Sequence, residues 1–259
     1  MDLGLSGRWA LVCGASQGLG YACAEALARE GVNLVILSRS RGPLEAAAER
    51  ISAVADVRVI ATPGDVTIPA DRLAAVSAAP QIDILITNAG GPPPGDFRSF
   101  ERADWIDALD ANMLAPIELI KLVVDPMIER RFGRIVNITS GAVKAPVDVL
   151  CLSNGARAGL TGFVAGLARK TVEHNVTINN LLPGAFDTDR LRAVLAKQAS
   201  ALGVTLEAAS GNVLSATPAR RFGDPDEFGR ACAFLCAAGS GYITGQNLLI
   251  DGGAFGGVF

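Results

Sequence analysis

GASQGLG, Gly14 to Gly20, lies between a short apolar segment and a helical pattern. Gly14 permits a tight turn, Gly18 lets the backbone approach a pyrophosphate, and Gly20 allows a helix to pack closely on a strand. The amino end of that helix would then present free N–H groups and a positive dipole end to phosphates. A glycine-rich stretch alone could be an ordinary turn. The strand before it and the helix after it predict a nucleotide site.

Outward from this loop, short apolar runs alternate with helical patterns almost from end to end. The runs show little polar alternation, as expected for parallel strands that are covered on both faces. The predicted strands are Trp9–Gly14, Asn33–Ser38, Val57–Thr62, Ile82–Thr87, Arg134–Thr139, Val176–Leu182 and Asn247–Asp251. Helical spacing lies between them, as in Tyr21–Gly31 and Leu44–Val54. The pattern predicts an α/β fold of Rossmann type, a doubly wound seven-stranded parallel sheet with helices on both faces.

The 259 residues show no linker, composition shift or internal repeat, so we expect a single domain over residues 1–259. The segment 188–224 differs from the rest because its helical pattern is interrupted at Gly203, Gly211 and Pro218. Such a segment predicts a mobile lid over a site.

Composition excludes several classes of function. The net charge of -3 provides no basic surface for nucleic acid. The five cysteines have neither CxxC nor metal-ligand spacing, which predicts reduced thiols and no metal site. There is no signal-peptide pattern and no apolar run long enough to span a membrane. We therefore expect a cytoplasmic protein with no nucleic-acid or membrane partner.

The glycine spacing G-x-x-x-G-x-G resembles the signature of the short-chain dehydrogenase/reductase family. The other family motifs follow in order over nearly the whole chain. They are GDVT (64–67), TNAG (87–90), the helix with Asn112, GRIVNITS ending at Ser140, LPGAFDT (182–188) and ITGQNLLIDGG (243–253). The resemblance implies oxidoreduction of a small-molecule carbonyl or alcohol with a nicotinamide dinucleotide, in a homotetramer.

The resemblance also implies which residues bind the cofactor. Asp65 and Val66 would contact adenine, the stretch 88–90 would flank the cofactor, and the stretch 183–188 would hold its nicotinamide end. The full expected set is Gly14, Ser16, Gln17, Gly18, Leu19, Gly20, Ser38, Arg39, Ser40, Asp65, Val66, Asn88, Ala89, Gly90, Arg157, Pro183, Gly184 and Thr188.

Ser38-Arg39-Ser40, at the end of the second strand, favours NADP over NAD. An NAD enzyme of this type places an acid there to accept hydrogen bonds from the adenosine ribose. This segment has no acid, and a guanidinium can bind a 2′-phosphate through two hydrogen bonds. The alternative is that Arg39 is a solvated loop residue.

The stretch CLSNGARAGL, Cys151 to Leu160, departs from the family. Its Tyr-x-x-x-Lys pair is replaced here by Ser153 and Arg157, four residues apart on one face of a predicted helix. Neither Tyr21 nor Tyr242 can substitute, because one lies in the first helix and the other beside the last strand.

This replacement matters because hydride delivery to a carbonyl leaves an alkoxide that needs a proton donor. Tyrosine, with a pKa of about 10, is a far better acid than an aliphatic hydroxyl, which is close to water at about 15.7. Arg157 is effectively always charged, so it can stabilise an oxyanion or hold the nicotinamide ribose but not release a proton.

Five further residues are weighed against simple alternatives. Ser140 matches the active serine of the family and can donate to a substrate carbonyl or merely cap a turn. Asn112 matches a family asparagine that supports a water chain, although helix packing alone would also suit it. Asp148 is the best substitute acid, and Lys144 a second, although both suit a solvated loop. His174 suits a helix end better than catalysis.

From the residues we expect an NADP(H)-dependent oxidoreductase with Ser140, Ser153, Arg157 and Asn112 in an atypical active site. The alternatives are a dinucleotide-binding sensor and a structural protein, each with little or no turnover.

Overall fold

The computed structural model describes residues 2–258 and contains the predicted seven-stranded parallel sheet. The strand order is β3-β2-β1-β4-β5-β6-β7, so the chain reverses direction across the sheet between β1 and β4. The strands are β1 (Trp9–Cys13), β2 (Asn33–Ser38), β3 (Val59–Pro63), β4 (Ile84–Thr87), β5 (Gly133–Ile138), β6 (Val176–Pro183) and β7 (Asn247–Ile250). The predicted fold class is therefore confirmed.

Helices cover both faces of this sheet. They are α1 (Gly18–Arg29), α2 (Arg41–Val54), α3 (Pro69–Ser77), α4 (Arg102–Leu109), α5 (Ala115–Glu129), α6 (Cys151–Thr171), α7 (Asp189–Leu202), α8 (Leu206–Ala216) and α9 (Pro225–Cys236). Buried side chains of α1, α2 and α9 pack on one face, and those of α3, α5 and α6 pack on the other. Alternate residues of each strand point to opposite faces, which is why Val12 joins the first layer and Leu11 the second.

Most predicted strand boundaries agree with the structure to within one residue, but two predicted starts are wrong by two residues. β3 begins at Val59 and β4 at Ile84, each two residues later than the apolar pattern indicates. Before each start, a side chain joins the backbone hydrogen bonds between neighbouring strands. The Arg58 N–H donates to the Asn33 amide oxygen, and the buried Asp83 carboxylate accepts the Trp9 N–H.

The segment 188–224 contains helices α7 and α8, which are separated by a left-handed Gly203 with φ of +65°. Pro218 follows the end of α8, as a helix breaker does. The expected interruption at Gly211 is wrong, because this residue lies inside α8. A single glycine costs a helix only about 1 kcal/mol relative to alanine, which flanking residues can offset.

The carboxyl ends of the parallel strands lie at one edge of the sheet. The loops after β1, β2, β4, β5 and β6 therefore converge there, next to the point at which the strand order reverses. Among residues 2–258, no helix is both long and apolar enough to cross a membrane.

Candidate active site

A cavity of about 480 Å³ lies at the carboxyl edge of the sheet, against β1, β2 and β4. Most of the cofactor-binding residues expected from the sequence line it. The expected residues that line it are Gly14, Ser16, Gln17, Gly18, Leu19, Ser38, Arg39, Ser40, Asp65, Val66, Asn88, Ala89, Gly90 and Thr188. Gly20, Arg157, Pro183 and Gly184 do not line it.

The geometry of the glycine loop, Gly14 to Gly20, shows why each of its glycines is needed. Gly14 and Gly18 have φ of +61° and +60°, in the left-handed region that strains other residues. A Cβ at Gly20 would overlap the Gly14 carbonyl oxygen, so only glycine lets α1 approach the loop. A Cβ at Gly18 would meet nothing closer than Thr188, at 3.7 Å, so the backbone there is open toward the cavity.

The segment after β2 presents a cation and hydroxyl groups to the same cavity. Arg39 and Ser40 are exposed, whereas the Ser38 hydroxyl is buried without a hydrogen-bond partner among the described residues. The nearby Asp65 carboxylate accepts hydrogen bonds from the N–H and hydroxyl of Thr67, both at 2.9 Å. An orphaned hydroxyl beside an unpaired guanidinium suits a phosphate-bearing ribose.

Ser153 and Arg157 lie in the first two turns of α6, and both are buried, with 8% of each residue exposed. The Arg157 guanidinium donates from Nη1 to the carbonyl oxygens of Ile138 and Thr139, both at 2.8 Å. These carbonyls belong to the last residue of β5 and to the residue after it, immediately before Ser140. Arg157 is therefore fixed at the site edge of the sheet and is not part of the helix surface.

No acid neutralises Arg157 among the described residues. Burial, and then the neighbouring positive charge of Arg190, lower the pKa of Arg157 to about 10. The side chain still carries its charge at neutral pH, and a bound anion would stabilise this buried charge.

Ser140 follows β5 and Asn112 lies at the junction of α4 and α5, and neither residue lines the cavity. The half-buried Ser140 hydroxyl accepts the Ala142 N–H at 3.1 Å, so the capping interaction exists, and its own proton remains free to donate. Asn112 is buried in a π-helical turn, Asp110–Leu114, a feature that is frequent at functional sites. Its amide donates to the Ala108 carbonyl, but its amide oxygen is buried without a partner among residues 2–258.

The remaining candidates differ in position. Asp148 begins an exposed 3-10 turn, Asp148–Leu150, before α6. Lys144 faces the ring of Phe255, with 5.9 Å between Nζ and the ring centroid. His174 ends a 3-10 turn before β6, at the amino edge of the sheet and away from the cavity.

The sequence interpretation missed several cavity residues, of which Arg190 matters most. The others are Leu37, Gly64, Thr67, Ala111 and Asp189. Arg190 follows Thr188 by two residues, and this nearness was the one available signal. The direction of its side chain depends on how α7 sits over the sheet, which local patterns do not reveal.

Comparison with known proteins places this geometry in a family. The model of the short chain dehydrogenase family matches residues 8–199. The chain is 31% identical to the 3-oxoacyl-(acyl-carrier-protein) reductase FabG of Vibrio cholerae, over 98% of this chain and 99% of that protein. Among solved structures, YwfH, an NADPH dependent reductase involved in bacilysin biosynthesis, has a TM-score of 0.92 and 30% identity over 98% of this chain and all of its own.

The L-sorbose reductase of Gluconobacter frateurii, solved with NADPH and L-sorbose, has a TM-score of 0.94 and 27% identity, with complete coverage of both chains. Because the family model spans most of the sequence and a relative above 30% identity aligns over nearly all of it, this chain belongs to the short-chain dehydrogenase family.

Proposed function

We propose that this protein is an NADP(H)-dependent oxidoreductase that acts on a carbonyl/alcohol pair through an atypical active site. The observation that carries the proposal is the cavity itself, where the glycine loop and the acid-free segment after β2 line one continuous space. The names of the relatives agree, since YwfH is an NADPH dependent reductase and L-sorbose reductase was solved with NADPH. A cytoplasmic homotetramer with a mobile lid over 188–224 stays a prediction.

The residues present fit NADP(H), which supplies or accepts a hydride when bound. Gly14 and Gly18 would hold its diphosphate at the amino end of α1, and Arg39 with its flanking serines would hold the 2′-phosphate. Asp65 and Val66 would contact the adenine. Asn88, Gly90 and Thr188 would contact the nicotinamide half, with Pro183 and Gly184 shaping the turn before it.

At the reacting end, Ser140 would donate a hydrogen bond to the substrate carbonyl. Arg157 would stabilise negative charge there, since a fixed cation in a site shielded from water needs no reorganisation during the reaction. Ser153 would relay a proton from water, because a serine hydroxyl is a poor acid by itself. The unpartnered amide oxygen of Asn112 supports a role in holding such a water.

Arg39→Ala tests the cofactor preference. We expect the wild-type protein to bind NADPH about tenfold more tightly than NADH, a difference of about 1.4 kcal/mol. The substitution should weaken NADPH binding and leave NADH binding unchanged, as measured by fluorescence titration. Arg41→Ala is the matched control, because it removes a nearby exposed charge that is already paired with Glu45 at 3.3 Å. Equal affinities of the wild type for both cofactors would end this part of the proposal.

Gly18→Val tests the phosphate site. A branched side chain would occupy the open backbone face, so we expect NADPH affinity to fall by tenfold or more while the fold is kept. Gly7→Val is the control, because Gly7 also has positive φ, +78°, with open space around it and no place in the cavity. Normal NADPH binding by Gly18→Val would put the diphosphate elsewhere.

A further inference from the structure

Two guanidinium groups converge on one point at the edge of the cavity. The position that a Cβ of residue 91 would occupy lies 2.5 Å from Nη2 of Arg190 and 3.7 Å from Nη2 of Arg157. The two arginines come from different elements, α7 and α6. Gly91 leaves room for both, because a Cβ there would displace the Arg190 guanidinium, which is the far end of a flexible side chain.

The positive charge at this point is not neutralised by neighbouring acids. Asp187 and Asp189 flank Arg190 in the chain, but both carboxylates bind Arg192, with 2.9 Å between Asp189 and Nη2 of that arginine. No ion pair joins Arg190 or Arg157 to an acid anywhere in residues 2–258. Like charges that are held together without a counterion favour the binding of an anion.

The pair lies beside two stretches that are expected at the reacting end of the cleft, Asn88–Gly90 and the end of β5 before Ser140. The diphosphate belongs at the amino end of α1, where Thr188 faces Gly18. Arg190 lines the same cavity, and its guanidinium lies at Gly91, which follows the stretch 88–90. Arg157 holds the carbonyls immediately before Ser140. An anion between the two arginines would therefore be part of the molecule whose carbonyl meets Ser140.

We infer that Arg190 and Arg157 bind the carboxylate of the substrate, so that the enzyme reduces oxo acids or oxidises the corresponding hydroxy acids. The planar fork of a guanidinium matches the two oxygens of a carboxylate. Arg190, which is exposed and free to move, makes the direct contact, and the buried Arg157 adds a fixed positive charge. This inference names the substrate class of the proposed oxidoreductase and rests on that function.

The test compares acids with their neutral esters, using acetoacetate and levulinate against the two methyl esters. NADPH oxidation gives kcat/KM, and the shift of the melting temperature with and without NADP⁺ measures binding independently of turnover. We expect at least one acid to have a kcat/KM tenfold or more above that of its ester. The same acid should also raise the melting temperature more than its ester does. Arg190→Gln should reduce this preference to about twofold and leave the Kd for NADPH within twofold.

Two further variants isolate the cause. Lys197→Gln removes an exposed charge from the same helix, and the preference for the acid should survive it. Gly91→Ala keeps every charge but puts a methyl group where Arg190 lies, so it should reduce the preference as Arg190→Gln does.

Other outcomes separate this inference from the proposed function. If esters and acids bind and react equally, the anion site is wrong although the oxidoreductase stands. If Arg190→Gln weakens NADPH tenfold, the arginines bind the cofactor and the inference is overturned. If the protein neither binds NADPH nor oxidises it, the proposed function fails, and the melting-temperature shift with the acids still decides the anion site.

Discussion

Arg157→Ala should lower the rate of NADPH-dependent turnover by about 10²- to 10³-fold, the effect of removing one donor that stabilises a developing oxyanion. It should also lower the free energy of unfolding by about 2 kcal/mol, because the carbonyls of Ile138 and Thr139 would lose a charged donor inside the protein. Steady-state kinetics and thermal melting measure these two consequences separately, and NADPH titration measures any change in cofactor affinity.

Two companions to this variant identify the origin of the effect. Ser153→Ala should cost less than tenfold in rate, because water can replace its hydroxyl. Arg169→Ala removes an exposed charge from the last turn of the same helix and should change nothing. If Arg157→Ala left cofactor affinity, rate and stability unchanged, the assignment of Arg157 to the site would be refuted.

The double variant Ser153→Tyr with Arg157→Lys rebuilds the pair that is usual in the family. In an enzyme adapted to its present residues, we expect it to lower turnover of the native substrate by about 100-fold. A phenol would fill space at a position that is now only 8% exposed. Over-packing there should also destabilise the fold by about 1–3 kcal/mol.

The same variant distinguishes the enzyme from a cofactor-binding sensor. For a sensor, the rebuilt phenol and ammonium would supply the missing acid, so reductase activity on simple ketones should arise while NADPH still binds. Single-turnover oxidation of bound NADPH, with Ser153→Tyr alone as the control, measures this. New activity in a protein that had none would overturn the proposal of an atypical enzyme.

Much of the architecture could be predicted from local patterns. Apolar runs predicted all the strands, because residues in a parallel sheet are covered on both faces wherever they lie in the chain. The glycines of 14–20 predicted the cavity, because positive φ and close packing exclude other residues. The motif order predicted the family, and the spacing of Ser153 and Arg157 predicted their common helix.

Only the tertiary structure showed what Arg157 contacts and that no acid among residues 2–258 neutralises it. Its hydrogen-bond partners lie 18 and 19 residues earlier, at the end of another element, and no periodicity joins the two. The same holds for Arg190, which meets Arg157 at Gly91 from a helix beyond β6. Composition and spacing report which residues are present and which face of one element they share. The charges of α6 and α7 meet only after the sheet has aligned its carboxyl ends, because long side chains take their direction from packing.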